Sequence, residues 1–586
     1  MLTSSTASAN AALVVSTLAD SGVGSLRQAM LDANSAAGVD TITFTAGLTG
    51  TIDVQSDLPV LDEGIDLQGP GASVITIDGG WTAAGGDSAG HALFVLDDID
   101  VSEGASTISG VTITGGNSSN NPDSSGGAIQ KYYGDADLTI TDVVLTGNFA
   151  DNDGGAVSLY ATDGTVTIRD SVISNNVAGD DGGALCANGD GALVLTLNNV
   201  EITGNTAVSD GGGLYVYEGS FTIVNSTIDG NTTDGDGGGI HFYGGSLTLN
   251  NVEITGNDAA ENGGGLYGNV GSLTIVDSTI SGNSALYSGG GIYFEDGTLT
   301  IVESTISGNT AGDGGGGLWL DDIDGTISDT TISGNTAGDG GGGIYLYETL
   351  MTISNSTLSG NSATYGGALY IKTDDLDDYG SATFIENSTI SGNHATQDGG
   401  AIFTGTDEDE EEEIASLEIE IVQSTITDNS TDGLGENVGG IVLQDYVEAT
   451  MTGSIVAGNL GNDIGLYTTS LPSLTASDSV LGVIQSGVTL IDGGGTQVGV
   501  TDPMLGLLAN NGGVTKTHAL LAGSPAIDAG PNPVPVFDGN EFDQRGIGFA
   551  RIVFGVADVG AFEVQEPEPE PTPEPTTEPI APTFTG

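Results

Sequence analysis

Two sets of side chains recurring at one interval are the candidates for chemistry in this chain. Tyr215, His241, Tyr267, Tyr293, Trp319, Tyr345, Tyr370 and Phe403 each follow the apolar Leu or Ile that closes a glycine run. Asp153, Asp181, Asp210 and Asp236 immediately precede such a run, and Asn262 and Ser288 take that place in the next two units. The alternation of a strand turns the aromatic set outward, as a stripe on the solvent face of a sheet. A stripe of apolar rings rimmed by polar groups marks binding surfaces. Sugar rings offer flat C–H faces that suit it, and nearby carboxylates accept their hydroxyl hydrogens. Stacked rings also stabilise a sheet on their own account, by about 0.2–1 kcal/mol per neighbouring pair. Two readings of this column stand, a structural ladder and a contact for a glycan or protein partner.

The aspartate column raises a different question. At the strand spacing of about 4.8 Å, adjacent carboxylates repel by roughly 0.9 kcal/mol even in water. Calcium, a hard cation that takes oxygen ligands, would turn that cost into a gain, whereas aspartate is also simply a good turn residue. The spaced Gly-x-Gly-x-Asp pattern of calcium-binding nonapeptide repeats is absent. A second acidic group, Asp374, Asp375, Asp377 and Asp378 beside Asp407 through Glu413, reads as solvated loops. If these loops meet across neighbouring units, they form the densest cation site on the molecule. Calcium is the one cofactor these residues suggest, and none is assigned outright.

The elements that must position both columns follow from their interval. Asn205, Asn231, Asn257, Asn283, Asn309, Asn335 and Asn361 are spaced by 26 residues, and Asn148, Asn176, Asn393, Asn429 and Asn459 extend the series to twelve units. A fixed period in this range signals a solenoid, whose repeats bury their apolar faces against one another. Within a unit Ile292, Phe294, Leu299, Ile301 and Ile306 alternate with polar residues, which is the period of a half-buried strand. Gly, Asp, Asn and Ser punctuate each run, so no helix fits between units. The fold expected is all-β, a right-handed parallel β-helix of about 26 residues per coil. The asparagine column reads as structural, because asparagine tolerates left-handed turns and stacked amides bond from coil to coil.

Four regions are expected: a leader and N-terminal cap over 1–44, repeats over 45–460, further coils and a C-terminal cap over 461–564, and a disordered Pro/Glu-rich linker over 565–586. The cap contains the one convincing helix. Ser25 and Gln28 have the spacing of a capping box, and Leu26, Ala29, Met30 and Ala33 share a face ahead of Gly38. Between Asn361 and Asn429 the steps lengthen to 32 and 36, with the surplus in the two acidic stretches, which should protrude at one corner. Insertions on one edge often mark the binding edge of a solenoid.

Seven basic residues against 80 acidic ones give a net charge of -73. Such a surface repels nucleic acid and anionic membranes, and polyanionic sugars too unless cations bridge. Cys186 stands alone, which excludes a disulfide framework and a cysteine metal cluster. No apolar run of about 20 residues occurs, so direct membrane insertion is not expected. The opening MLTSSTASAN lacks the basic start of an export signal, and the chain is expected to be what remains after one, or a fragment.

The C-terminal phrase DPMLGLLANNGGVTKTHALLAGSPAIDAG, followed by DQRG and DVGAFE, resembles the end of bacterial choice-of-anchor Q domain proteins. The opening DSGVGSLRQAMLDANSAAGVDTITF resembles the leading segment common in that group and in proteins with a CSLREA-type N-terminus. The repeats are similar to those of polymorphic outer-membrane proteins, whose motifs are GGAI and FxxN. GGAI stands here at Gly126–Ile129 and Gly399–Ile402, while Ile or Leu replaces Phe in ISGN and LTGN. These resemblances imply a β-helix on large secreted or surface-anchored bacterial proteins, with adhesion as the usual role.

Parallel β-helices also carry polysaccharide lyases and hydrolases. A lyase needs a base beside a neutralised carboxylate, yet Lys131, Arg169, His241, Lys372 and His394 form no such motif. A hydrolase needs two carboxylates at a set separation, which 80 acids satisfy somewhere by number alone. Serine-triad and phosphate-loop signatures are absent. The expected protein is a secreted or cell-surface bacterial module for adhesion or structural display, with a polysaccharide lyase or glycoside hydrolase as the alternative.

Overall fold

The computed structural model describes residues 13–83, 90–97, 99–119, 124–160, 163–189, 191–373, 381–406, 417–444, 447–467 and 473–565. The acidic residues Asp374, Asp375, Asp377 and Asp378, the run Asp407 to Glu413, the leader 1–12 and the Pro/Glu-rich tract from 566 lie outside them. The chain winds into a parallel β-solenoid of about 17 coils, nearly all β, with one helix among the described residues.

One coil shows how the sequence builds the rest. The strand Ile292–Val302 buries Ile292, Phe294, Leu299 and Ile301 on its inward face. Thr305–Ser307 buries Ile306 and Thr310–Ala311 buries Ala311. Leu266, Ile292 and Leu318 stand in register, as do Ile275, Ile301 and Ile327. The core is thus a set of straight columns of Leu and Ile, each layer covered by the next.

Bends in the left-handed region return the chain at four places in such a coil. Gly289 at φ 68° and Gly308 at φ 64° occupy the left-handed region that glycine enters freely. A third bend uses the same region without glycine, with Asp277, Glu303, Asp329, Asn355, Asn387 and Gln423 all at φ near 50°, and Val270, Asp296, Asp322 and Glu348 mark the fourth at φ 49–59°. Asn and Asp tolerate that conformation best. The next residue locks the turn, as when Ser304 Oγ donates to the Val302 carbonyl at 2.7 Å.

The asparagine column is a continuous internal ladder. Asn309 is buried, and its backbone N–H and Nδ2 both donate to Asn335 Oδ1, at 2.9 and 3.0 Å. Its Nδ2 also donates to the Ile280 carbonyl at 3.0 Å. The pattern runs from Asn148 to Asn459, whose Nδ2 donates to Asp463 Oδ1 at 2.9 Å. The left-handed conformation expected of these asparagines belongs to the residue before each, a glycine except for Asn175 and Asp428, because the amide is spent on the ladder.

The helix α1, Leu26–Ala33, buries Leu26, Ala29, Met30 and Ala33 against the first coil. Ser25 Oγ accepts from Gln28 N at 3.2 Å. Only that half of the capping box forms, since the Gln28 side chain reaches forward to Asp32 instead.

Strands continue to Gln497–Val498, and the segment 500–565 then folds back along the flank of earlier coils. Gln544 Nε2 donates to the Ser356 carbonyl and Thr357 Oγ1, both at 3.0 Å, and His518 Nε2 lies 2.8 Å from Ser391 Oγ. Arg551, fully buried, holds Gln423 Oε1 at 3.1 Å and the Gly560 carbonyl at 2.7 Å, and reaches Asn387 Oδ1. Thr357, Thr389 and Thr425 stand in register on their strands, where Gln544 meets the first two and the Ala561 N–H donates to Thr425 Oγ1 at 3.0 Å. The last long strand, Thr489–Gly494, remains largely exposed.

Candidate functional site

The two columns of interest lie side by side because the glycine run separates them by only a tight turn. Gly289 supplies its left-handed residue, and a Cβ at Gly290 would run into the Thr310 carbonyl of the next coil. Each coil therefore delivers its aspartate position and its ring to the same corner.

The structure brings all eight predicted rings into one stack. Centroids are 4.9 Å apart for Tyr215 and His241, 4.8 Å for His241 and Tyr267, and 5.1 Å for Tyr267 and Tyr293. Trp319 follows at 6.0 Å from Tyr293, Tyr345 at 3.9 Å, Tyr370 at 4.7 Å and Phe403 at 5.3 Å. Every pair in this series is within 18° of parallel. The register of the strands imposes this, since each ring pairs directly with its neighbour.

Their setting differs from an open stripe. His241 is 6% exposed, Tyr345 7% and Phe403 2%, while the other five are half-buried. The glycine loop folds over the rings: Gly314 sits against Trp319 and Gly340 against Tyr345 and Tyr370. Tyr365 and Tyr467 cover Phe403, with centroids at 4.9 and 5.5 Å. Because the faces are pressed on one another, the column presents ring edges and phenol oxygens instead of flat faces. Tyr267 Oη donates to Glu295 Oε1 at 2.8 Å and Tyr293 Oη to Glu295 Oε2 at 3.0 Å. Burial, followed by Glu295 among the causes, raises both phenols well above their ordinary range. The indole Nε1 of Trp319 and Nδ1 of His241 are buried and find no hydrogen-bond partner.

The aspartate column forms a second ladder. Asp181 Oδ1 accepts the N–H of Asp210 at 3.0 Å, Asp210 Oδ1 that of Asp236 at 2.8 Å, and Asp236 Oδ1 that of Asn262 at 2.7 Å. Asp153 makes the weaker contact, 3.4 Å to the Asp181 N–H. One oxygen of each carboxylate is thereby committed to backbone, which accounts for the turn preference. Burial pushes Asp181 up to about 7 and Asp236 up to about 6.

Sequence reasoning placed both columns and missed what joins them. His241 Nε2 lies 3.7 Å from Asp210 Oδ2, and burial lowers its pKa to about 4. Aligning the coils would have shown Asp210 one unit before His241. The scattered bases have ordinary roles. Lys131 is 2% exposed, paired in register with Leu96 and Leu159, and donates to the Tyr133 and Gly134 carbonyls at 3.1 and 2.9 Å. Arg169 pairs with the adjacent Asp170 at 3.0 Å.

Elsewhere, the C-terminal segment leaves a cleft of about 620 Å³ against the coils, lined among others by Glu303, Asp329, Asp543 and Arg545. Arg545 is held by Asp543 and sandwiched between Phe549 and Phe562, at 4.0 and 3.8 Å. The strands from which the two acidic insertions leave are paired, Thr373 with Thr406, so both stretches depart from adjacent coils at one corner.

Residues 212–377 match the family described as right-handed beta helix region. Two further stretches, 170–188 and 387–405, match the Chlamydia polymorphic membrane protein repeat. The chain therefore carries a right-handed β-helix with repeats like those of polymorphic membrane proteins. No curated protein matches it in sequence. Among solved structures it is similar to the catalytic domain of a GH87 alpha-1,3-glucanase in complex with nigerose, at 13% identity and a TM-score of 0.23. That match covers 70% of this chain and 64% of the glucanase chain. No helix among the described residues is long and apolar enough to cross a membrane.

Proposed function

We propose that the chain is the displayed rod of a secreted or cell-surface bacterial protein, acting in adhesion toward a glycan or protein partner. The repeats matching those of Chlamydia polymorphic membrane proteins carry this reading. A surface-anchored parent protein also accords with the resemblance of the C-terminal segment to choice-of-anchor Q domains. Contact would run along the aromatic column, through its ring edges and the phenol and carboxylate groups of Tyr267, Tyr293 and Glu295. The test is binding of the purified chain to a glycan array and to cell surfaces. Replacing Tyr293, Trp319 and Tyr345 by Ala should abolish binding. Tyr267→Phe with Tyr293→Phe keeps the stack and should weaken binding about tenfold, the loss of one or two polar contacts. Unchanged binding by both variants would sink the proposal.

A polysaccharide lyase or glycoside hydrolase is the second reading, favoured by the cleft with Glu303 and Asp329 on one wall. It predicts release of reducing or unsaturated ends from some polymer. A broad substrate screen without such release removes it.

A further inference from the structure

The corner where the two ladders touch contains one group that neither ladder explains. Seven of the eight stacked positions carry Tyr, Trp or Phe, and only His241 brings a metal-ligating nitrogen. The imidazole is more than nine-tenths buried, and its Nδ1 has no hydrogen-bond partner. Its Nε2 stands 3.7 Å from Asp210 Oδ2, beyond hydrogen-bond range. That gap is close to the separation of two ligands on a tetrahedral ion with bonds of about 2.0–2.1 Å. Asp236, in the coil of His241, completes the group: one ligand atom from each of Asp210, Asp236 and His241 lies within 4.8 Å of the others.

We propose that Asp210, Asp236 and His241 form a binding site for a zinc-class divalent cation that clamps two adjacent coils. The donor set decides the class. Calcium takes six to eight oxygens, whereas zinc takes nitrogen and oxygen together in fours. Three protein ligands leave the fourth position to water, and both aspartates are part-exposed, so water can reach it. Two carboxylates balance the charge of the ion. Each aspartate keeps its Oδ1 on a backbone N–H, which fixes the carboxylate in place as outer hydrogen bonds fix ligands elsewhere. The site is narrower than the calcium column the sequence suggests, because Asp153 and Asp181 have no nitrogen ligand beside them.

The test is calorimetric titration of the chelator-stripped full chain with zinc chloride, in excess calcium chloride to occupy the rest of the acidic surface. A single tight zinc site should appear, accompanied by a rise in melting temperature. His241→Tyr installs the residue of the neighbouring coils, and Asp236→Asn installs what the next coil has at that position, so both variants should fold. Each should weaken zinc binding by about tenfold to a hundredfold. The proposal is overturned if the wild type binds zinc no more tightly than calcium, or if both variants titrate as the wild type does. Neither outcome bears on adhesion, which is read from partner binding in chelator.

Discussion

At the residue scale the inward asparagines do the most specific work. Asn309 accepts two hydrogen bonds from Asn283, at 3.0 Å each, and donates to Asn335 and the Ile280 carbonyl. Asn309→Ala would leave the Asn283 backbone N–H and one Nδ2 hydrogen without an acceptor and the Ile280 carbonyl without its donor, while the other Nδ2 hydrogen keeps the Ile254 carbonyl. Leaving a buried donor unmet costs about 1–3 kcal/mol, and two donors and a carbonyl are affected here. Thermal or urea unfolding should show a loss of at least about 3 kcal/mol. Much of this was legible in advance. The 26-residue interval exposed the columns, the alternation of Ile292, Phe294, Leu299 and Ile301 gave the strands, and the twelve asparagines marked the coils. What side chains do between coils was harder to see. The carboxylates of Asp181 and Asp210 read as mutually repelling, because their N–H partners are backbone groups invisible to residue type. The burial of Phe403 depends on Tyr467, some 64 residues on, and no periodic pattern links the two.

At the scale of elements the segment 500–565 is the part that periodicity could not place. It has no repeat, and its partners lie more than 120 residues back. Gln544 is its polar anchor, bonded also to Thr389 Oγ1 at 2.5 Å and Thr515 Oγ1 at 3.0 Å. Gln544→Ala leaves Thr389 without its partner, while Thr357 keeps the Lys516 carbonyl at 2.6 Å. The coils should stay intact while the segment loosens, by about 2–3 kcal/mol. Faster protease cleavage within 500–565, with unchanged far-ultraviolet dichroism, is the expected signature. Equal cleavage rates would show that the apolar contacts around Leu520, Ala526 and Val559 suffice to hold it.

At the scale of the whole molecule, charge and burial together set a pH dependence. Glu386, Glu420, Asp463 and Asp558 titrate above their ordinary values because burial penalises their charged forms, and Glu563 is pushed up to about 8. Carboxyls raised in this way bind more protons folded than unfolded. Their contribution to stability is full below the unfolded pKa and is lost as pH rises toward the folded value. The melting temperature in chelator should therefore rise on going from pH 8.5 to pH 5.5. Glu563→Gln should flatten the upper part of that rise, and a molecule that melts earlier at pH 5.5 would contradict the assignment. Lys131, lowered to about 8 by burial, acts in the separate window above that pH, where stability rises again.

The asparagine ladder gives the rod a direction that its repeats alone do not. Every amide oxygen accepts from the N-terminal side, as Asn148 Oδ1 takes the Gly116 N–H at 3.0 Å, while each Nδ2 donates both to the next side chain of the column and to a carbonyl of the coil before. The amide dipoles therefore add along the axis, as peptide dipoles do in an α-helix. The donor end is positive and meets a carboxylate, Asp463, where the column stops. The solenoid is an electrical dipole assembled from side chains and closed by its own counter-charge.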